Sequence, residues 1–172
     1  MTETAKPKVA MVMGSDSDWP VMKVCAETLK QFEVPFEVRI LSAHRSPEET
    51  AQYAKSARDR GLEVIIAAAG MAAHLAGVVA AHTTLPVIGV PLAAGTLQGI
   101  DALLSTVQMP PGVPVAAMGI GSAGAQNAAL LAIEILALHD EQLAQKRKQH
   151  RNGLAEAAQA KDQKLQQELN KL

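Results

Sequence analysis

Five apolar runs of strand length recur along this chain, and each is followed by helical spacing rather than by a hairpin turn. Residues 9–13, 36–41, 64–68, 87–90 and 115–118 read as the strands. After the first, Val21, Met22, Cys25, Leu29 and Phe32 recur at intervals of three and four, the spacing of one helical face. Further helices fit residues 72–81, 99–107 and 123–137. Strands separated by helices require right-handed crossovers, which build a parallel sheet sandwiched between helix layers. The expected fold is therefore α/β.

One helix start is explicit. Ser46-Pro47-Glu48-Glu49 places a hydroxyl at the cap, proline at the first helical position and glutamate three residues after the cap, so a capping box is expected there. That helix should run to about Arg60, with Gly61 ending it.

A length of 172 residues with 48% hydrophobic content supports one full core and is too short for two ordinary domains. Residues 1–140 are expected to form that domain. From Asp140 the composition turns to Lys, Gln, Glu and Ala, with Leu143, Leu154, Leu165, Leu169 and Leu172 as sparse anchors and Gly153 as an interruption. Residues 141–172 therefore read as a polar helical C-terminal extension, either docked on another subunit or fraying in solvent. The formal net charge of -1 gives no broad basic field for nucleic acid or an acidic membrane, so anion recognition must be local and the ligand small. The single cysteine, Cys25, sits on the apolar side of a helix, which makes a buried thiol and a reducing cytoplasm the expectation. The segment Met1-Thr2-Glu3-Thr4-Ala5-Lys6 lacks the apolar core of a secretion signal, and no apolar stretch is long enough to span a membrane, so a soluble protein is expected. Aromatics are only 2%, while small residues are abundant; each buries little area, so the subunit gains from further burial between copies.

Two polar clusters stand directly behind strands. Gly14-Ser15-Asp16-Ser17-Asp18 follows the first, and Ser42-Ala43-His44-Arg45 follows the second. In an open parallel sheet such positions line the crevice beyond the carboxyl ends of the strands, where ligands bind. Ser15 and Ser17 offer hydroxyls beside exposed amides at a helix start, a natural phosphate cradle, although no Lys-Ser or Lys-Thr follows to make a P-loop. Asp18 either caps the helix through its carboxylate or accepts hydrogen bonds from a sugar diol. His44 and Arg45 precede the second helix's cap and have no structural duty there. Arginine grips phosphate with a planar fork, and histidine moves a proton near neutrality; the alternative is a solvated loop carrying the pair by chance. In Gly70-Met71-Ala72-Ala73-His74, glycine permits close backbone approach, and His74 either contacts substrate or hydrogen-bonds a neighbouring loop. Residues 91–99 are small and uncharged, consistent with a wall or lid over a flat ring. His44, His74, His82, His139 and His150 are scattered and form no close ligand pair, so no metal site is expected.

Several separated motifs, in order over roughly positions 8 to 140, carry a family resemblance: Gly14-Ser15-Asp16-Ser17-Asp18-Trp19, Ser42-Ala43-His44-Arg45-Ser46-Pro47, Ala72-Ala73-His74-Leu75, Gly89-Val90-Pro91, Val107-Gln108-Met109-Pro110 and Asn127-Ala128-Ala129-Leu130-Leu131. The chain resembles the class I PurE proteins, the 5-(carboxyamino)imidazole ribonucleotide mutases of purine biosynthesis. The resemblance implies a flavodoxin-like three-layer α/β/α sandwich assembled as an octamer, and transfer of a carboxyl group from the exocyclic amine of a ribonucleotide to the adjacent ring carbon. It implies no metal or organic cofactor. It assigns Ser15 and Arg45 to the phosphate with Ser42 assisting, Asp18 to the ribose, His44 to general acid and base chemistry, and His74 to the vicinity of the transferred carboxyl group. Two other readings stay open: a direct carboxylase of aminoimidazole ribonucleotide, whose class typically has lysine where Arg45 stands, and a non-catalytic nucleotide-binding module on the same fold. The chain departs from the family pattern at Met71, at Leu75-Ala76-Gly77-Val78, at Ala93-Ala94 and at Pro111.

Overall fold

The computed structural model describes residues 6–170. The first five residues, read above for a secretion signal, and Leu172 lie outside the described residues. The chain divides into two compact units, Met1–Ile135 and Leu136–Leu172.

The first unit carries a five-stranded, all-parallel sheet in the order β2-β1-β3-β4-β5. The strands are β1 (Val9–Met13), β2 (Phe36–Ile40), β3 (Val64–Gly70), β4 (Val87–Leu92) and β5 (Ala116–Ala117). Met11 stands between Val38 of β2 and Ile66 of β3, so β1 is interior on both edges and all five of its residues are buried. β3 and β4 run two residues past the predicted ends because their pairing continues to Gly70 and Leu92. β5 is shorter than predicted, with only Ala116 and Ala117 in register with Ile88 and Gly89. This is the flavodoxin-like strand order, whose direction reverses at β1 and β3 and opens a crevice there.

The helices are α1 (Trp19–Gln31), α2 (Pro47–Ser56), α3 (Leu75–Ala80), α4 (Ile100–Val107) and α5 (Ser122–Leu136). Side chains alternate across each strand, so Ala10, Val12, Ile65, Ala67 and Val87 share one face, where they pack with Tyr53 and Ala54 of α2 and with Leu75, Ala76 and Val79 of α3. Right-handed crossovers place α1 on the opposite face, because β1 to β2 runs the other way across the sheet from the later connections. Met22, Cys25 and Leu29 of α1 are fully buried, and burial pushes the Cys25 thiol up to about 12.

The strand β2 is tied to α2 by a half-buried network. Tyr53 Oη donates to Glu37 Oε1 at 2.5 Å, Arg60 Nη1 pairs with the same oxygen at 2.6 Å, and the guanidinium carbon lies 4.4 Å from the Tyr53 ring centre. Burial alone would raise the Glu37 carboxyl; the hydrogen bonds from Tyr53 and Arg60 outweigh it and hold that group below its ordinary value.

The second unit contains α6 (Glu141–Leu169), capped by Asp140, whose Oδ1 accepts from the Leu143 amide at 2.9 Å. The expected interruption at Gly153 does not occur: the helix runs through it. A glycine costs about 1 kcal/mol in a helix, too little to break one of this length. Leu143 is buried, while Leu154, Leu165 and Leu169 are exposed. No helix among the described residues is long and apolar enough to cross a membrane.

Candidate active site

The two polar clusters leave the sheet side by side. The Gly14 amide donates to Ala68 O at 3.3 Å and the Leu41 amide to Met13 O at 2.8 Å, so the β1 loop and the β2 loop both extend the parallel ladders into the crevice. Arg45 closes the gap between them, its Nη2 donating to Gly14 O at 2.6 Å.

The β1 loop is shaped by its own side chains. Residues Asp16–Asp18 form a short 3-10 helix with Ser15 as its cap: Ser15 Oγ accepts from the Ser17 amide at 3.3 Å, and Asp18 Oδ2 accepts from the Ser15 amide at 3.0 Å. Asp18 also occupies the cap position of α1, yet makes no side-chain cap bond there. Its carboxylate turns back to the loop because the 3-10 turn presents an amide first. Burial raises the Asp18 carboxyl above its ordinary value, opposed by hydrogen bonds from the Ser15 and Gly14 amides and by the charge of Arg45.

The β2 loop departs from the sequence expectation in one respect. Ser46 is the cap residue of α2, but its hydroxyl makes no cap bond, so the capping box does not form. Instead Ser46 Oγ accepts from the Ser42 amide at 3.1 Å and donates to Ser42 O at 3.3 Å, while the Ser46 amide donates to Ser42 O at 2.9 Å. The loop is thereby cinched at both ends of the His44-Arg45 pair. Ser42 Oγ then accepts from the Arg45 amide at 3.1 Å and from its Nε at 3.4 Å, aiming the guanidinium toward Gly14. The α2 helix ends at Ser56 rather than Arg60; the following turns close with the Gly61 amide on Arg58 O, Gly61 being at φ +91.

His44 is exposed on this cinched loop, with no side-chain hydrogen bond among the described residues. His74 is held differently. It stands at the cap of α3, its Nδ1 hydrogen-bonded to the Ser105 carbonyl in α4, and its ring packs on Gly77, where any Cβ would overlap it. A carbonyl only accepts, so Nδ1 carries the hydrogen of that bond, while Nε2 lies against Gly77. The third loop is close-packed as well: a Cβ on Gly70 would lie 2.8 Å from Ala94 Cβ, which brings the end of β3 against residues 93–99. Gly99, at φ +89, packs on the Ala93 backbone and gives that segment its return into α4.

Of the predicted site residues, Ser15, Asp18, Ser42 and Arg45 are thus joined in one hydrogen-bonded set with His44 on the same loop, and His74 is anchored to α4. Three contributors escaped the sequence reading: the Gly14 carbonyl, the Ser46 hydroxyl and Gly77. Only the Ser42-to-Ser46 spacing carried a signal, since serines four apart can close a turn.

The model of a family described as AIR carboxylase matches residues 8–157. The chain belongs to the AIR carboxylase family. Among AIR carboxylase relatives, a Mycobacterium tuberculosis protein named N5-carboxyaminoimidazole ribonucleotide mutase is 54% identical over 167 residues, covering 97% of this chain and 95% of its own. Proteins of the same name from Pyrococcus abyssi and Bacillus subtilis are 54% identical over 90% of this chain and 87% of their own length, and 56% identical over 82% and 87%, respectively. The crystal structure of Treponema denticola PurE superposes with a TM-score of 0.82 at 31% identity, covering 92% of this chain and 98% of that one.

Proposed function

We propose that this AIR carboxylase family member is an N5-carboxyaminoimidazole ribonucleotide mutase, converting its substrate to 4-carboxy-5-aminoimidazole ribonucleotide. The observation that carries the reading is the 54% identity, over nearly the whole chain, to a protein of that name. The joined Arg45, Ser42, Ser15 and Gly14 loops support it, because they offer a fork, hydroxyls and amides to a phosphate at the sheet's switch point.

In this mechanism Arg45 and Ser15 anchor the phosphate, Ser42 orients Arg45, and Asp18 accepts from the ribose. Loss of the carboxyl group from the exocyclic nitrogen releases carbon dioxide, and the imidazolium of His44 gives that nitrogen a proton. The electron-rich ring carbon then attacks carbon dioxide still held beside it, so proximity replaces a bimolecular collision. Attack leaves a tetrahedral carbon bearing hydrogen. His44 takes that proton, the ring regains aromaticity, and the imidazolium is restored. Residues 91–99, packed at Gly70 and Gly99, serve as the wall that keeps carbon dioxide from escaping. His74, with Nδ1 on the Ser105 carbonyl and Nε2 against Gly77, positions the start of α3 in the vicinity of the carboxyl group.

The same reading includes a cytoplasmic homo-octamer. Ile100, Leu104 and Val107 form an exposed apolar stripe along α4, with Leu97 and Met71 also exposed, and burial between copies would remove it from water. Ultraviolet monitoring of the purified chain with the carbamate ribonucleotide, without ATP, tests the reaction: product is expected. Turnover of aminoimidazole ribonucleotide with bicarbonate, and none of the carbamate, would favour the direct carboxylase.

A further inference from the structure

An open surface groove lies at the other end of the sheet. It has a volume of about 440 Å3 and is lined by Lys55 in the last turn of α2, by Arg58 and Asp59 in the turns after it, and by His82, Thr83 and Thr84 in the connection from α3 to β4. These residues precede β4, whereas the candidate active site follows β1 and β2. The two are therefore separated by about a strand length, roughly 17–20 Å.

The groove sets two cations and two hydroxyls beside one carboxylate, Asp59. Arg58 Nη2 reaches across it to Thr84 Oγ1 at 3.2 Å, which leaves the Thr84 hydroxyl hydrogen free to be given elsewhere. Thr83 Oγ1 accepts from the Leu85 amide at 3.2 Å, so its hydrogen is likewise available. Among the described residues, Lys55, Arg58 and Asp59 enter no ion pair. Lys55 has an ordinary explanation, since a cation in the last turn of a helix offsets its carbonyl end. Arg58 does not, because its hydrogen bond runs across the groove to a hydroxyl rather than back to α2 carbonyls.

The geometry points to a second anion site, in which Arg58, Lys55 and the Thr83 and Thr84 hydroxyls hold a phosphate group. A planar fork, a point charge and two hydroxyls approaching from different elements match a tetrahedral group with many acceptors. The groove is open to solvent along most of its lining, which leaves room beyond phosphate for the body of a phosphate monoester.

Equilibrium dialysis with radiolabelled inorganic phosphate at low ionic strength tests this, using the full-length Arg45→Ala variant so that the active-site anion subsite is weakened. Saturable binding is expected, weakened about tenfold or more by adding Arg58→Ala and retained in part by Arg58→Lys, which also serves if the alanine variant fails to fold. Ribose 5-phosphate displacing the label better than unlabelled phosphate identifies a monoester as the ligand, and equal or poorer displacement identifies free phosphate. Turnover of the single Arg58→Ala variant is expected to be unchanged. Absence of saturable binding in Arg45→Ala, or binding insensitive to Arg58 replacement, would overturn the site.

Discussion

Arg45 and Gly14, thirty-one positions apart, meet where β1 and β2 end: the guanidinium Nη2 donates to the Gly14 carbonyl at 2.6 Å. One side chain thus sets the distance between the loop that carries His44 and the loop that carries Ser15 and Asp18. Ser42 fixes the other end of the same guanidinium through Nε. Replacing Arg45 by alanine removes both the charge and the bridge, so substrate affinity is expected to fall roughly ten- to a hundredfold. Lysine is expected to restore only part of the loss, because it has no fork. Steady-state KM and direct substrate titration check this; an Arg45→Lys variant with normal KM would contradict it.

His44 is exposed and on a loop built by its neighbours, so its replacement should leave the frame intact. For His44→Asn the expected outcome is retained substrate binding with turnover lowered about a hundredfold to ten-thousandfold. Binding and kcat measured on the same preparation separate the two effects.

Ser46→Ala removes the hydroxyl that accepts from the Ser42 amide, leaving that part-buried donor without its partner. A loss of about 1 kcal/mol is expected, with a lower thermal midpoint and a raised KM together, since the cinch shapes the Arg45 loop. A fall in stability with KM unchanged would show that the cinch does not position Arg45.

Gly77→Ala drives a methyl into the His74 ring. Either the ring leaves Ser105 or α3 shifts, at a cost of about 1–3 kcal/mol. Thermal melts of Gly77→Ala, His74→Asn and the double variant check it: the double should lose less than the sum, because both singles disturb one contact.

Two carboxylates give opposite pH signatures. The folded Asp18 carboxyl lies above its ordinary 3.8, chiefly through burial, so between 3.8 and that raised value the folded chain binds more protons than the unfolded one. Its contribution to stability is therefore greatest below 3.8 and declines as pH rises through the folded value. Glu37 lies below its ordinary 4.5 despite burial, because Tyr53 and Arg60 hydrogen-bond its charged form; its contribution is complete above 4.5 and is lost as pH falls through the folded value. Denaturant midpoints from acid to neutral pH should show the falling component vanish in Asp18→Asn and the rising one vanish in Glu37→Gln.

The sheet was legible because hydrophobic periodicity is local: β1 matches its apolar run residue for residue, and α1 matches the spacing of Met22, Cys25 and Leu29. The polar clusters were legible because they follow strands. What escaped depends on contacts distant in sequence or on competition among neighbours. Ser46 fits a capping pattern, yet the Ser42 amide offers its hydroxyl a better-placed partner, and no local rule ranks the two. Asp18 similarly had a helix to cap but met the Ser15 amide first. The Gly77–His74–Ser105 stack joins two helices, and nothing within either segment announces the other.

The central claim is that one pocket moves a carboxyl group within a single ribonucleotide. The direct measurement is conversion of the carbamate ribonucleotide, isotopically labelled in its carboxyl carbon, in the presence of excess unlabelled bicarbonate and without ATP. Product retaining the label is the predicted result. Product whose carboxyl carbon has equilibrated with bulk bicarbonate would contradict it.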